Sequence, residues 1–170
     1  ISVVLPEDGY LKKVREITKR EKIILIFDEV ITGVKVGYGG GAEWAGVEPD
    51  MVTLSKAIGG GLPVSAVGGR KEIMSVLENG CYHAGNFGGN PLGMTAVVTT
   101  LRDILTREVT DKLIKKSEVA FNEMESILKK SGVPHHFAHV GTIGGLLFTD
   151  EKVRDYRGMA TQNYDMWHKF

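Results

Sequence analysis

The chain has 170 residues, 42% of them hydrophobic, and its 21 Lys plus Arg balance 21 Asp plus Glu, which bounds it to one domain, or one and part of another, with a buried core. The neutral charge and the lack of a basic run argue against a nucleic-acid partner, and no apolar run reaches the ~18–20 residues of a membrane span. A single cysteine, Cys81, excludes a disulfide within the chain and suits a reducing, cytoplasmic setting.

Asp8 reads as the N-cap of a first helix, whose apolar stripe is Leu11, Val14 and Ile17 and whose end lies near Glu21. Ile23–Phe27 is short and uniformly apolar, which predicts a parallel-sheet strand covered on both faces. Gly33 to Gly46 reads as loop, with Gly37, Gly39, Gly40 and Gly41 close together. Val47-Glu48-Pro49-Asp50 turns the chain into a second strand, Met51–Leu54; Ser65–Gly68 reads as a third strand and Lys71–Leu77 as a short helix. Asn90-Pro91 starts another helix, with a capping residue followed by proline at the first helical position, and its apolar pattern runs through Met94, Val97, Val98, Leu101, Ile104 and Leu105. A second long helix carries Leu113, Ile114, Val119, Phe121, Met124, Ile127 and Leu128 and stops at Gly132. Val133–Val140 and Ile143–Phe148 then read as strands separated by Gly141, and Gly158–Phe170 as one unfinished helix. Because the chain opens on Ile1 and closes inside that helix, a fragment is expected.

Strand, helix and strand in the first hundred residues imply an α/β layer with right-handed crossovers. A change of texture near Arg107–Lys112 divides the chain into 1–107 and 108–170. In open α/β sheets, ligands bind at the carboxyl ends of the strands. Asp28 ends the first apolar run there, and Lys56 follows the second, with Gly59-Gly60-Gly61 behind it. One acid and one amine so placed suit a pyridoxal phosphate (PLP) enzyme. That cofactor takes a lysine as its Schiff-base partner and an acid to hold its pyridine nitrogen protonated. On local sequence alone, Asp28 could equally cap a turn and Lys56 could be an ordinary surface lysine. Against the second alternative, Leu54 and Ile58 flank Lys56, and no other charge lies between Asp50 and Arg70.

The stretch FDEVITGVKVGYGGGAEWAGVEPDMVTLSKAIGGGLPVSAVGG resembles the core of the class III aminotransferases, most of all their glutamate-1-semialdehyde aminomutase branch. The similarity runs from about Ile23 to Leu101 and is weaker beyond. The resemblance implies an incomplete fold type I PLP-transferase large domain, with a mixed and mostly parallel sheet, over 1–107. The start of an α+β small domain follows over 108–170. It implies PLP as cofactor, Lys56 as the catalytic lysine, and Asp28, Val30, Lys56 and Asn86 as cofactor-binding residues. The implied reaction is amino-group transfer on a small amino or keto substrate, by an aminotransferase or an aminomutase.

Val30 lies two residues past Asp28, on the same side of an extended chain. In the family this position packs on the cofactor ring, although ordinary core packing would account for it too. Ile31 departs from several class III transaminases, which have glutamine there. Gly85-Asn86-Phe87-Gly88-Gly89-Asn90-Pro91 resembles the family's G-T-F-x-G-N-P segment, whose threonine reaches the cofactor phosphate of the neighbouring subunit. Asn86 replaces that threonine, and its amide can also donate to phosphate. The resemblance therefore implies a homodimer with the active site at the interface.

His83 reads as a loop histidine and Trp44 as a packing residue. His135, His136 and His139 lack cysteine or acidic companions at ligand spacing, so no metal site is expected. No Gly-Lys-Ser/Thr follows a glycine loop, and no G-x-G-x-x-G opens a helix, which argues against an unrelated nucleotide-binding domain. The alternative to an enzyme is a non-catalytic truncated remnant that keeps Asp28 and Lys56.

Overall fold

A three-stranded sheet organises the first part of the chain in the computed structural model, which describes residues 3–78 and 80–169. Its strands are β1 (Ile26–Asp28), β2 (Met51–Leu54) and β3 (Ala66–Gly69), in that order. β1 runs parallel to β2, with Ile26 opposite Met51 and Asp28 opposite Thr53. β3 returns antiparallel, with Leu54 opposite Ala66 and Met51 opposite Gly69. The sheet is thus mixed, with one parallel and one antiparallel pair. The chain divides into two units, one of Gly9–Asp111 and a second formed from Lys112 onward together with the residues before Gly9.

The expectation of a strand covered on both faces over Ile23–Phe27 is corrected. The strand is only Ile26–Asp28, and Ile23, Ile24 and Ile26 are 55%, 52% and 53% exposed, because no layer among the described residues covers their side chains; β2 is the only strand neighbour of β1 among those residues. Just before the ladder, Asp50 holds the backbone of Leu25. The Leu25 N–H donates to Asp50 Oδ2 at 2.8 Å, and the Leu25 carbonyl accepts from the N–H groups of Asp50 and Met51.

Asp50 is also the anchor of the helix before the sheet, α1 (Tyr10–Arg20). Its buried carboxylate accepts from Arg15 at 2.8 Å and from Arg70, just past β3, at 3.2 Å. The Leu25 N–H, then Arg15 and Arg70, hold the Asp50 carboxyl down at about 2, against an ordinary 3.8. A carboxyl lowered by folding adds stability above its unfolded value, and that stability is lost as pH falls through the folded value. Acid should therefore weaken the wild-type protein between about pH 4 and pH 2, and Asp50→Asn should flatten that part of the profile in urea titrations across the range.

Gly9, at φ +77°, takes the N-cap position of α1 with no side-chain cap, so Asp8 does not play the role expected of it. The glycine-rich stretch read as loop contains a short helix, α2 (Gly40–Ala45), for a reason given below. α3 (Lys71–Met74) follows β3 and passes into a 3₁₀ turn over Ser75–Leu77. α4 (Pro91–Thr99) begins as expected: Asn90 Oδ1 accepts from Leu92 N–H at 3.0 Å and Gly93 N–H at 3.3 Å. It does not extend to Leu105 as an α-helix, since Thr100–Ile104 form a π-helical turn.

α5 (Arg107–Ser131) carries the chain into the second unit and ends before Gly132, whose φ of +70° supplies the left-handed stop. β4 (His136–Val140) and β5 (Ile143–Leu147) form an antiparallel hairpin closed at Gly141. Phe121 of α5 lies 5.7 Å from the Phe137 ring and 4.9 Å from the His139 ring. His135 donates from Nδ1 to the Val133 carbonyl at 2.7 Å, and its Nε2 lies 3.5 Å from Glu125. Leu147, Phe148 and Val153 are buried.

The single helix expected over Gly158–Phe170 is corrected to two, α6 (Tyr156–Met159) and α7 (Tyr164–Lys169); Phe170 lies outside the described residues. Asn163 breaks the run. Its N–H donates to the Phe148 carbonyl instead of to a helical neighbour, and its Oδ1 accepts from the Met166 N–H to start α7.

Candidate active site

Parallel pairing of β1 with β2 brings the two candidate residues, Asp28 and Lys56, to one edge. Asp28 is the last residue of β1, and its register partner Thr53 stands three residues before Lys56. Adjacent strands lie only about 4.8 Å apart, so both residues emerge at the carboxyl end of the same strand pair. Both are exposed. For Lys56 this departs from the partly covered setting that its apolar flanks suggested. Leu54 and Ile58 are turned inward, Ile58 to 1% exposure, while Lys56 sits beyond the end of β2 on the open rim.

The backbone around Lys56 is unusual. Lys56 opens a 3₁₀ turn over Lys56–Gly59 at φ +49°, a left-handed conformation that few non-glycine residues adopt. The turn is pinned from several sides. The Ser55 hydroxyl donates to the Val64 carbonyl at 2.8 Å, and the Leu62 N–H donates to the Gly59 carbonyl. Gly93 of α4 comes so close that a Cβ there would stand 2.9 Å from Val64 Cγ2.

Asp28 is held by one of its oxygens. Oδ1 accepts from Thr53 Oγ1 at 3.1 Å and from the Val30 N–H at 3.0 Å. No hydrogen bond among the described residues reaches Oδ2. The carboxylate thus has a fixed orientation and one oxygen available at the rim. Val30 is not the next outward residue of an extended strand, because the chain has already turned at Glu29, as its N–H bond to Asp28 requires. Asn86 lies on the exposed turn of Gly85–Gly89, and among the described residues no hydrogen bond joins it to Asp28, Val30 or Lys56.

Glu29 and Thr53 are the residues that sequence reasoning passed over. Glu29 is 3% exposed, and its carboxylate accepts from the Thr32 hydroxyl at 2.7 Å and from the N–H groups of Gly41 at 2.7 Å and Ala42 at 2.8 Å. Those two N–H groups belong to the first turn of α2, where a helix lacks internal acceptors and favours negative charge. This buried acid is why the glycine-rich stretch forms a helix. From outside, Glu43 of α2 accepts from Arg107 at 2.8 Å and from the Gly39 N–H at 2.7 Å; both donors hold its carboxyl below the ordinary range. Arg107 also lies over the Tyr38 ring, 4.7 Å from its centre. A hollow of about 510 Å³ at the other end of the sheet, lined by Lys12, Arg15, Asp50 and Arg70 among others, includes none of the rim residues.

Residues 2–165 match the family described as Aminotransferase class-III. The chain belongs to the class III aminotransferases. This class III chain is 40% identical to glutamate-1-semialdehyde 2,1-aminomutase 1 of Lachnoclostridium phytofermentans over 178 residues, covering 100% of itself and 41% of that protein. Among solved structures, it superposes with a TM-score of 0.82 on an omega-transaminase from Sphaerobacter thermophilus, at 37% identity over 90% of this chain and 36% of that one. A beta-phenylalanine aminotransferase from Variovorax paradoxus gives a TM-score of 0.91, at 26% identity over 98% of this chain and 39% of that one. The class III chain therefore spans about two fifths of the length of the curated relatives it matches. Among the described residues, no helix is long and apolar enough to cross a membrane.

Proposed function

We propose that this class III chain carries the lysine and acid of a PLP-dependent amino-group transfer site. The observation that supports this most directly is the pairing of Asp28 with Thr53, which sets an oriented carboxylate and the Lys56 amine on one rim. The residues fit the cofactor: Asp28 has one oxygen engaged and one available, and Lys56 is accessible. When bound, PLP supplies an aldehyde that condenses with amines and a ring that accepts electrons from the substrate carbon.

Asp28 would face the ring nitrogen and, as the opposite charge, would keep a proton there. Lys56 would hold the cofactor through its Nζ, and the same amine would carry a proton at that atom. Val30 would border the ring. Asn86 would donate from its amide to the phosphate held by a neighbouring subunit, in a homodimer. Substrates are small amino and keto compounds. The 40% identity to a glutamate-1-semialdehyde aminomutase favours an internal shift of the amine, and the 37% identity to an omega-transaminase supports the alternative of transfer between two molecules. The single cysteine suits a cytoplasmic enzyme.

The test is a visible spectrum of the protein with PLP, recorded before and after an amino donor is added. The expected result is a band that bleaches with the donor and returns with an oxo acid. A spectrum indifferent to both would favour the non-catalytic remnant.

A further inference from the structure

Asp28 is the final residue of a three-residue edge strand, and its side chain is exposed. Neither condition by itself fixes a carboxylate, since an exposed side chain at a strand end has several rotamers open to it. Two donors fix this one, the Val30 N–H and the Thr53 hydroxyl, and both bind Oδ1. The Val30 donor is a backbone group of the same turn. The Thr53 donor comes from the neighbouring strand, across the register pair, and its backbone carbonyl also accepts the Glu29 N–H at 2.9 Å. Thr53 therefore grips both residues of the Asp28-Glu29 pair, one through its side chain and one through its main chain.

From this geometry we infer that Thr53 is a positioning residue: its hydroxyl orients Asp28 so that Oδ2 is presented to the protonated ring nitrogen of the cofactor. This rests on the reading of Asp28 given above. With the hydroxyl gone, the Val30 bond alone is a single pivot about which the carboxylate turns. The contact weakened is then the one to the ring nitrogen, whereas contacts to the phosphate and to Lys56 are untouched. Thr53→Val keeps the β-branched shape that suits a strand and removes only the donor.

The experiment compares the binding of two probes, PLP and its deaza analogue with carbon in place of the ring nitrogen. It uses the protein with whatever sequence flanks residues 1–170 in its native form. Thr53→Val is expected to weaken PLP about tenfold, the scale of one hydrogen bond to a charged group, and to leave the deaza analogue unchanged. Thr53→Ser should bind both as the wild type does. Thr53→Ser and Thr53→Ala form a second pair differing only in the hydroxyl, which keeps the test open should the valine variant fold poorly. Equal loss of both probes in the donor-free variants would make Thr53 merely structural, and no loss of either would make its hydroxyl irrelevant; both results overturn the inference. Asp28→Ala separates it from its premise. If that variant prefers PLP over the deaza analogue as strongly as the wild type does, the reading of Asp28 fails and this inference with it.

Discussion

Replacing Lys56 by alanine is expected to remove the donor-sensitive visible band and to slow amino transfer by about four orders of magnitude, the upper range for losing a positioned general base. Stability should change little. Lys56 is exposed, and its side chain makes no hydrogen bond or ion pair among the described residues, so its truncation leaves no buried group without a partner and no cavity. Loss of rate without loss of stability is what marks a chemical role over a structural one. Exposure also makes a further result accessible. A small primary amine such as methylamine can reach the rim and take over the proton, so it should restore part of the variant's rate in proportion to its concentration. A variant that keeps its rate within about tenfold of the wild type sinks the assignment of Lys56.

The second large effect concerns Glu29 and falls on stability. Its buried carboxylate serves three donors, and Glu29→Ala leaves the Thr32 hydroxyl and two helix N–H groups without it. The expected cost is about 3 kcal/mol, since donors stranded in a covered site lose their partners outright. Glu29→Gln should lie between wild type and alanine, because its amide nitrogen must face an N–H or the hydroxyl on one side. The site has no slack to absorb the change from the other direction. Gly40 sits at φ +66°, and a Cβ there would be 2.6 Å from Glu29 Oε2. Urea unfolding measures both variants, and an alanine variant with the wild-type midpoint would rule out this role.

Features fixed by neighbours in sequence were readable without the structure. Asn90 and Pro91 announce α4 because a cap and an N-terminal proline act within one turn. Gly132 marks the end of α5, and the apolar residues Met51–Leu54 mark β2, for similarly local reasons. The placement of Asp28 and Lys56 after apolar runs was legible too, together with the family likeness. What escaped was set across the chain. α2 forms on glycines because of an acid twelve residues earlier in sequence, and nothing in the glycine run itself points to Glu29. The final helix breaks because Asn163 is tied to Phe148, fifteen residues before it. Thr53 looked like one more strand residue until the register set it opposite Asp28.

The left-handed backbone at Lys56 has a consequence for how this position would drift. A side chain there costs roughly 1–2 kcal/mol that glycine would not, so local energetics alone favour glycine at the residue that carries the amine. Under the proposed role, selection for the chemistry of its amine offsets that cost. A population of these chains screened for thermal endurance and nothing else should lose the lysine early, and keep Glu29 and Asp50 long after the activity has gone.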